Sequence, residues 1–108
     1  MKWTGMIAVH KVNEGVNLKH ILAKLQVPIT ITSVCTDGET ALAAIMMHKP
    51  DIIFLDSELP AISGIEVAHV LRQAETYQPL LVFTASTKQY AAEAFAVSAV
   101  DYVLKPFD

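Results

Sequence analysis

The sequence predicts an α/β fold in which a five-stranded parallel sheet is doubly wound, with helices on both faces. Segments of strand and helix character alternate strictly along the chain, in the order β-α-β-α-β-α-β-α-β. Such alternation is typical of parallel strands joined by right-handed crossovers. The run from Ile52 to Leu55 is apolar without a break, which indicates a strand buried on both faces of its sheet.

The composition indicates one core-rich globular domain over residues 1–108. Hydrophobic residues make up 53% of the 108 residues and charged residues 18%, with a net charge of -3. This charge argues against a general basic surface for nucleic acid or for an anionic membrane. The single Cys35 allows neither an internal disulfide nor a cysteine-based metal cluster, so we expect a cytoplasmic location.

Short apolar and β-branched runs predict five strands, at about residues 6–12, 29–34, 52–55, 80–83 and 101–104. The second strand is expected at a sheet edge. Four helices are predicted between the strands. The first is indicated by an apolar stripe at helical spacing, formed by Leu18, Ile21, Leu22 and Leu25. The other three are predicted at about residues 38–49, 63–73 and 88–95.

The sequence ends directly after the fifth strand, at Asp108. A doubly wound fold of five strands would normally cover that strand with one more helix. We therefore expect a truncated chain or a sheet edge that a partner completes. Apolar surface beside the fifth strand would then be exposed and would favour self-association.

Polar residues follow the predicted strands at their carboxyl ends, where open α/β sheets bind ligands. Asn13 and Glu14 follow strand one, Asp56 strand three, Thr84 strand four and Lys105 strand five. Carboxylates, a hydroxyl and an ammonium together suit a divalent cation such as Mg²⁺ and a phosphoryl group. Taken alone, Asp56 could equally cap a turn, so its prediction as a site residue depends on the others.

This arrangement resembles the receiver domain of two-component response regulators along the whole chain. The resemblance is carried by Pro50 to Asp56, Leu59-Pro60 with Gly64, Thr84-Ala85 and Lys105-Pro106-Phe107. The stretch at residues 94–107 is most similar to receivers of the LytR/AlgR type, which carry a C-terminal DNA-binding domain. The resemblance implies a flavodoxin-like fold and a non-enzymatic role in phosphorelay signalling, with transcription control as its output.

The resemblance also implies the chemistry of the site. Asp56 would accept a phosphoryl group from a sensor histidine kinase, while Mg²⁺ and Lys105 neutralise the charge on its oxygens. Glu14, Asp56 and the backbone carbonyl of Glu58 would bind the metal, together with Asn13 where an acid is usual.

A switching role is implied for two further residues. Thr84 would move toward the phosphoryl oxygen, and Tyr102 would turn inward as it does so. The face made by helix four and strand five would change in response, and a homodimer through that face is expected.

The register of strand one has two solutions. Receivers usually have two adjacent acids after this strand, and counting back from Asp56 lands near Asn13-Glu14, in agreement with the apolar stripe of helix one. In the other register the strand ends at Val9 and places His10-Lys11 at the site. Lys11 would then add positive charge where the metal binds. The helical periodicity favours the first register.

Two alternatives to a phosphorylated receiver are open. One is a degenerate, receiver-like interaction module that does not depend on phosphorylation. The other is a hydrolase that forms an aspartyl phosphate. That class requires a second Asp two residues after the nucleophile, where this chain has Glu58, so the hydrolase is the least favoured of the three.

Overall fold

The computed structural model describes residues 3–105, and these residues form the predicted alternation of strands and helices. The strands are β1 (Trp3–Ala8), β2 (Ile29–Cys35), β3 (Ile52–Asp56), β4 (Leu80–Ala85) and β5 (Asp101–Leu104). The helices are α1 (Val12–Lys24), α2 (Gly38–His48), α3 (Gly64–Arg72) and α4 (Ala91–Ala96). No helix among these residues is long and apolar enough to cross a membrane.

All pairings in the sheet are parallel, and the strand order is β2-β1-β3-β4-β5. The predicted fold class is therefore confirmed, and β2 lies at an edge as expected. The chain order reverses between β1 and β3, and a crevice opens at such a point beyond the strand ends. Asp56 and Thr84 are paired across β3 and β4, so the sheet itself brings them together.

Strand β3 is buried on both of its faces, as its apolar run predicts. Ile53 and Leu55 belong to the larger core cluster, which includes residues of α2, α3 and α4. Phe54 points to the opposite side, where it packs in a second cluster with Ile7, Val9 and Leu18. The strand that ends in Asp56 is thus the most deeply enclosed part of the sheet.

The prediction that strand one extends to residue 12 is wrong, because β1 ends at Ala8. Val9 is still buried and its N–H donates to the carbonyl of Cys35 at 3.0 Å. The chain then turns through His10 and Lys11, and α1 begins at Val12 with Lys11 as its N-terminal cap residue. The two polar residues therefore mark the end of the strand rather than an interruption of it.

Arg72 fixes the segment that leads into β5. Its guanidinium donates hydrogen bonds to the carbonyls of Val97 (2.7 Å), Ser98 (3.2 Å) and Pro79 (2.9 Å). The end of α3 is thereby tied to the connection between α4 and β5. This contact helps to set the position of the strand that is followed by Lys105.

Gly64 is required by close packing at the start of α3. The sequence suggests a flexible position, but no described glycine has a positive φ angle. A Cβ atom at Gly64 would instead overlap the backbone carbonyl of Asp56. The N–H of Gly64 donates to the carbonyl of Ser57 at 3.1 Å, so α3 begins directly against the end of β3.

We expect Gly64→Ala to lower the free energy of unfolding by about 3 kcal/mol, because the overlap forces the backbone of β3 and α3 apart. Ala61→Gly is the matched control in the same loop. Ala61 is exposed with a φ of 69°, so glycine there relieves strain and should stabilise by about 1 kcal/mol. Urea unfolding of both variants checks the pair, and equal effects of the same sign would contradict it.

Candidate functional site

The crevice at the carboxyl ends of the strands is centred on Asp56, the last residue of β3. Its side chain is buried, and the residue is only 2% exposed. Strand β1 ends on one side of it and β4 on the other, so residues after both strands lie close by. A carboxylate removed from water in this way needs hydrogen-bond donors or a counter-charge.

Both oxygens of the Asp56 carboxylate have such donors. Oδ1 accepts from the backbone N–H of Glu58 at 3.0 Å. Oδ2 accepts from the backbone N–H of His10 at 3.3 Å and from Nζ of Lys105 at 2.5 Å. The charge of Asp56 is thus balanced by a buried ammonium and two oriented peptide groups.

Lys105 lies between two carboxylates that come from distant parts of the chain. Its Nζ is 2.5 Å from Oδ2 of Asp56 and 3.0 Å from Oε1 of Glu14. Its backbone N–H donates to the carbonyl of Ala85 at 2.7 Å, which continues the pairing of β5 with β4 and positions the side chain. The two residues that complete the predicted Lys-Pro-Phe run lie outside the described residues.

The two carboxylates hold Lys105 in its charged form. Burial by itself would lower the pKa of the ammonium, but hydrogen bonds and charges from Asp56 and Glu14 outweigh that effect and raise the pKa above its usual value. The crevice therefore contains a permanent cation at neutral pH.

Two hydroxyls beside this carboxylate are buried without a hydrogen-bond partner. They are Oγ1 of Thr84 and Oγ of Ser57, and each residue is 1% exposed. Thr84 pairs with Asp56 across the sheet, and Ser57 follows it in sequence. Buried hydroxyls without partners are uncommon, and such a hydroxyl can still form a hydrogen bond with a ligand.

Tyr102 is half-buried and lies against the larger core cluster. Its ring is 6.5 Å from that of Phe83, centroid to centroid. Its hydroxyl donates to the backbone carbonyl of Thr87 at 2.7 Å, in the connection between β4 and α4. The aromatic side chain is therefore turned inward and attached to the loop that follows Thr84.

The structure adopts the second of the two predicted registers, with His10 and Lys11 directly after the first strand. Glu14 lies in the first turn of α1 and reaches the crevice from there through Lys105. Asn13 is exposed on the same helix, and it lines a groove with Asn17 and His20 rather than the crevice. The preferred register, with Asn13-Glu14 in the place of the usual acids, is thus wrong.

The preferred register does not predict the hydrogen bond from the backbone N–H of His10 to the Asp56 carboxylate. The signal that could have found it is the pair of polar residues directly after the buried Val9. The apolar stripe of α1 does not distinguish the two registers, since it is also compatible with a helix that begins at residue 12.

Receiver domains generally bind Mg²⁺ at their phosphorylation site, but the residues of this crevice do not fit the ion. Mg²⁺ requires near-octahedral oxygen ligands, with one or two carboxylates free to bind it. Here Asp56 and Glu14 are both paired with Lys105, and His10 and Lys11 stand where acids would be. Within residues 3–105, no group of three His, Cys, Asp or Glu side chains could hold a metal ion.

Comparisons with known proteins agree with the fold. The model of the response regulator receiver domain family matches residues 10–108. An uncharacterized response regulatory protein of Vibrio cholerae is 42% identical over 90 residues, which is 83% of this chain and 34% of that protein. The sensory transduction protein LytT of Bacillus anthracis is 42% identical over 91 residues, 84% of this chain and 36% of its own length.

A solved structure shows the same architecture. The response regulatory domain of protein mrkE from Klebsiella pneumoniae is 28% identical, with a TM-score of 0.89 over 97% of this chain and 84% of that one. The chain spans about a third of the length of the curated relatives above. The LytT relatives agree with the predicted LytR/AlgR resemblance. This chain belongs to the response regulator receiver domain family, whose members are signalling modules rather than enzymes.

Proposed function

We propose that this receiver domain acts as an interaction module in two-component signalling without Mg²⁺-dependent phosphorylation of Asp56. One observation carries the proposal: both carboxylates of the crevice, those of Asp56 and Glu14, are paired with the ammonium of Lys105. Lys105, His10 and Glu58 supply an ammonium and two peptide N–H groups to the two oxygens of Asp56. A metal ion would therefore have to compete with these donors for the oxygens of the Asp56 carboxylate.

The charge after β1 supports the same proposal. A divalent cation is drawn to a crevice with an excess of negative charge. In this crevice the ammonium of Lys105 offsets the charge of one of the two carboxylates. Lys11 is the N-terminal cap residue of α1, the helix that carries Glu14. Without two further acids, the crevice has little net negative charge to attract Mg²⁺.

The partners in this proposal follow from the family. Receiver domains interact with histidine kinases, and a sensor kinase in the cytoplasm is the proposed upstream partner. The relatives are more than twice as long as this chain, and several are named as transcriptional regulatory proteins. Transcription control is therefore the proposed output. A second copy is proposed to bind the α4–β5 face, where Phe95, Val100 and Leu104 are exposed.

Phosphorylation of Asp56 is the second candidate function, and the buried hydroxyls favour it. Oγ1 of Thr84 and Oγ of Ser57 have no partner beside the carboxylate. A phosphoryl oxygen accepts hydrogen bonds from such hydroxyls. Asp56, Thr84 and Lys105 would then retain the acceptor, switch and charge-neutralising roles that the resemblance implies.

Phosphorylation can be tested by intact-mass spectrometry after incubation with acetyl phosphate and Mg²⁺. We expect no phosphoryl adduct on this chain under conditions that label a receiver with two acids after its first strand, which serves as the positive control. An adduct that appears on the wild type and disappears in Asp56→Asn would instead establish the second candidate.

We expect Lys105→Met to destabilise the fold by about 3 kcal/mol at pH 7, because it leaves a buried carboxylate without its counter-charge. The double variant Asp56→Asn/Lys105→Met removes both charges and should recover much of this loss. Urea unfolding measures all three proteins. A double variant no more stable than Lys105→Met would contradict a pairing role for Lys105.

The pH dependence follows from the raised pKa of Lys105. A cation whose pKa is higher in the folded state contributes its full stabilisation of the fold at pH values below its unfolded-state pKa of about 10.4. The contribution is lost as the pH rises through the folded-state pKa. The difference in stability between the wild type and Lys105→Met should thus stay constant from pH 7 to about 9 and shrink above about 10.5. A difference that shrinks below pH 9 would contradict this assignment.

A further inference from the structure

We propose that a groove between α3 and α4, on one side of the Asp56 crevice, binds an arginine side chain from a basic segment of a partner protein. The inference deepens the function proposed above, because it gives the chemistry of one partner of the interaction module. Its glutamates lie outside the Lys105 pairing, although His10 and the segment at residues 57–58 line both the groove and the crevice.

The groove is large and acidic. It has a volume of about 770 Å³ and is lined by residues that follow β3 and by residues of α3 and α4. Three glutamates line it, and no Lys or Arg does; the glutamates are Glu58, Glu66 and Glu93. All three are exposed, and the ion pairs found within residues 3–105 involve none of them. Their charges are therefore available to a cation from outside.

Ser57 is an independent sign of a missing ligand. It lines the groove and is 1% exposed, yet its hydroxyl has no hydrogen-bond partner. Its backbone is fully engaged elsewhere, since its N–H donates to the carbonyl of Thr84 at 3.0 Å and its carbonyl accepts from Gly64 at 3.1 Å. The side chain is thus the group left to meet a ligand, and a hydroxyl oxygen can accept from a cationic N–H donor.

The walls of the groove suit the arginine side chain better than a small cation. Leu59 and Ile65 supply apolar surface for the methylene stem, and Tyr90 and His69 supply aromatic faces. A guanidinium stacks on aromatic rings and donates in a planar fork to carboxylates, whereas an ammonium acts as a point charge. A metal ion is not favoured, because no three potential ligands within residues 3–105 converge.

The proposal can be tested by NMR titration of the isotopically labelled chain with a blocked Arg-Gly-Arg peptide, acetylated and amidated at its ends. We expect amide shifts at Ser57, His69 and Glu93. The same peptide with citrulline in place of arginine keeps the shape without the charge and should not bind. A lysine peptide should bind more weakly than the arginine peptide.

Variants then assign the binding to the groove. Glu66→Gln/Glu93→Gln should weaken the affinity for the arginine peptide about fivefold, because two exposed ion pairs with the peptide are lost. Glu39→Gln/Glu75→Gln, at two exposed sites outside the groove, is the charge-matched control and should leave the affinity unchanged. Ser57→Ala should weaken binding without lowering the Tm, because its hydroxyl makes no bond within the protein.

Shifts that map elsewhere, equal binding of the citrulline peptide, or unchanged affinity in Glu66→Gln/Glu93→Gln would overturn the proposal. These readouts are separate from the acetyl phosphate assay. A chain that is phosphorylated but binds the peptide in the groove would refute the proposed function alone. A chain that is neither phosphorylated nor able to bind the peptide would refute the groove alone.

Discussion

The structure depends on the position of one ammonium group, that of Lys105, between the carboxylates of Asp56 and Glu14. Lys105 directly follows β5, Asp56 ends β3 and Glu14 lies in α1, so this contact joins the end of the last strand, the central strand and the first helix. A buried aspartate without such a partner would carry a large desolvation penalty. The ammonium removes that penalty, and it also occupies the space in which a metal ion would have to compete for the same oxygens.

The sheet order explains why these residues meet, and the end of β1 explains why the site departs from its family. Because β1 lies between β2 and β3, the residues after Ala8 are placed beside Asp56. The backbone N–H of His10 then donates directly to the carboxylate, and His10 and Lys11 follow the buried Val9 where receivers usually have two acids. The basic residues after β1 are the reason for the proposal that this domain acts by recognition rather than by phosphoryl transfer.

The fold could be predicted from the sequence because its signals are local and repeated. The uninterrupted run at Ile52 to Leu55, the β-branched second strand and the apolar stripe of α1 each indicate their element independently. The predicted end of β1 is wrong because Val12 continues the apolar pattern of the strand, whereas it is the first residue of α1. The groove that contains Ser57 and Glu93 could not be found from sequence, since its residues are far apart in the chain and meet only through the packing of α3 and α4.

Isothermal titration of Mg²⁺ into the wild type and into His10→Asp/Lys11→Asp tests most directly whether the basic pair after β1 disables the metal site. We expect no measurable binding to the wild type at millimolar Mg²⁺. We expect the double variant to gain a single site, because the two added carboxylates supply oxygen ligands that are not paired with Lys105. Binding of Mg²⁺ to the wild type with an affinity equal to that of the double variant would contradict the account.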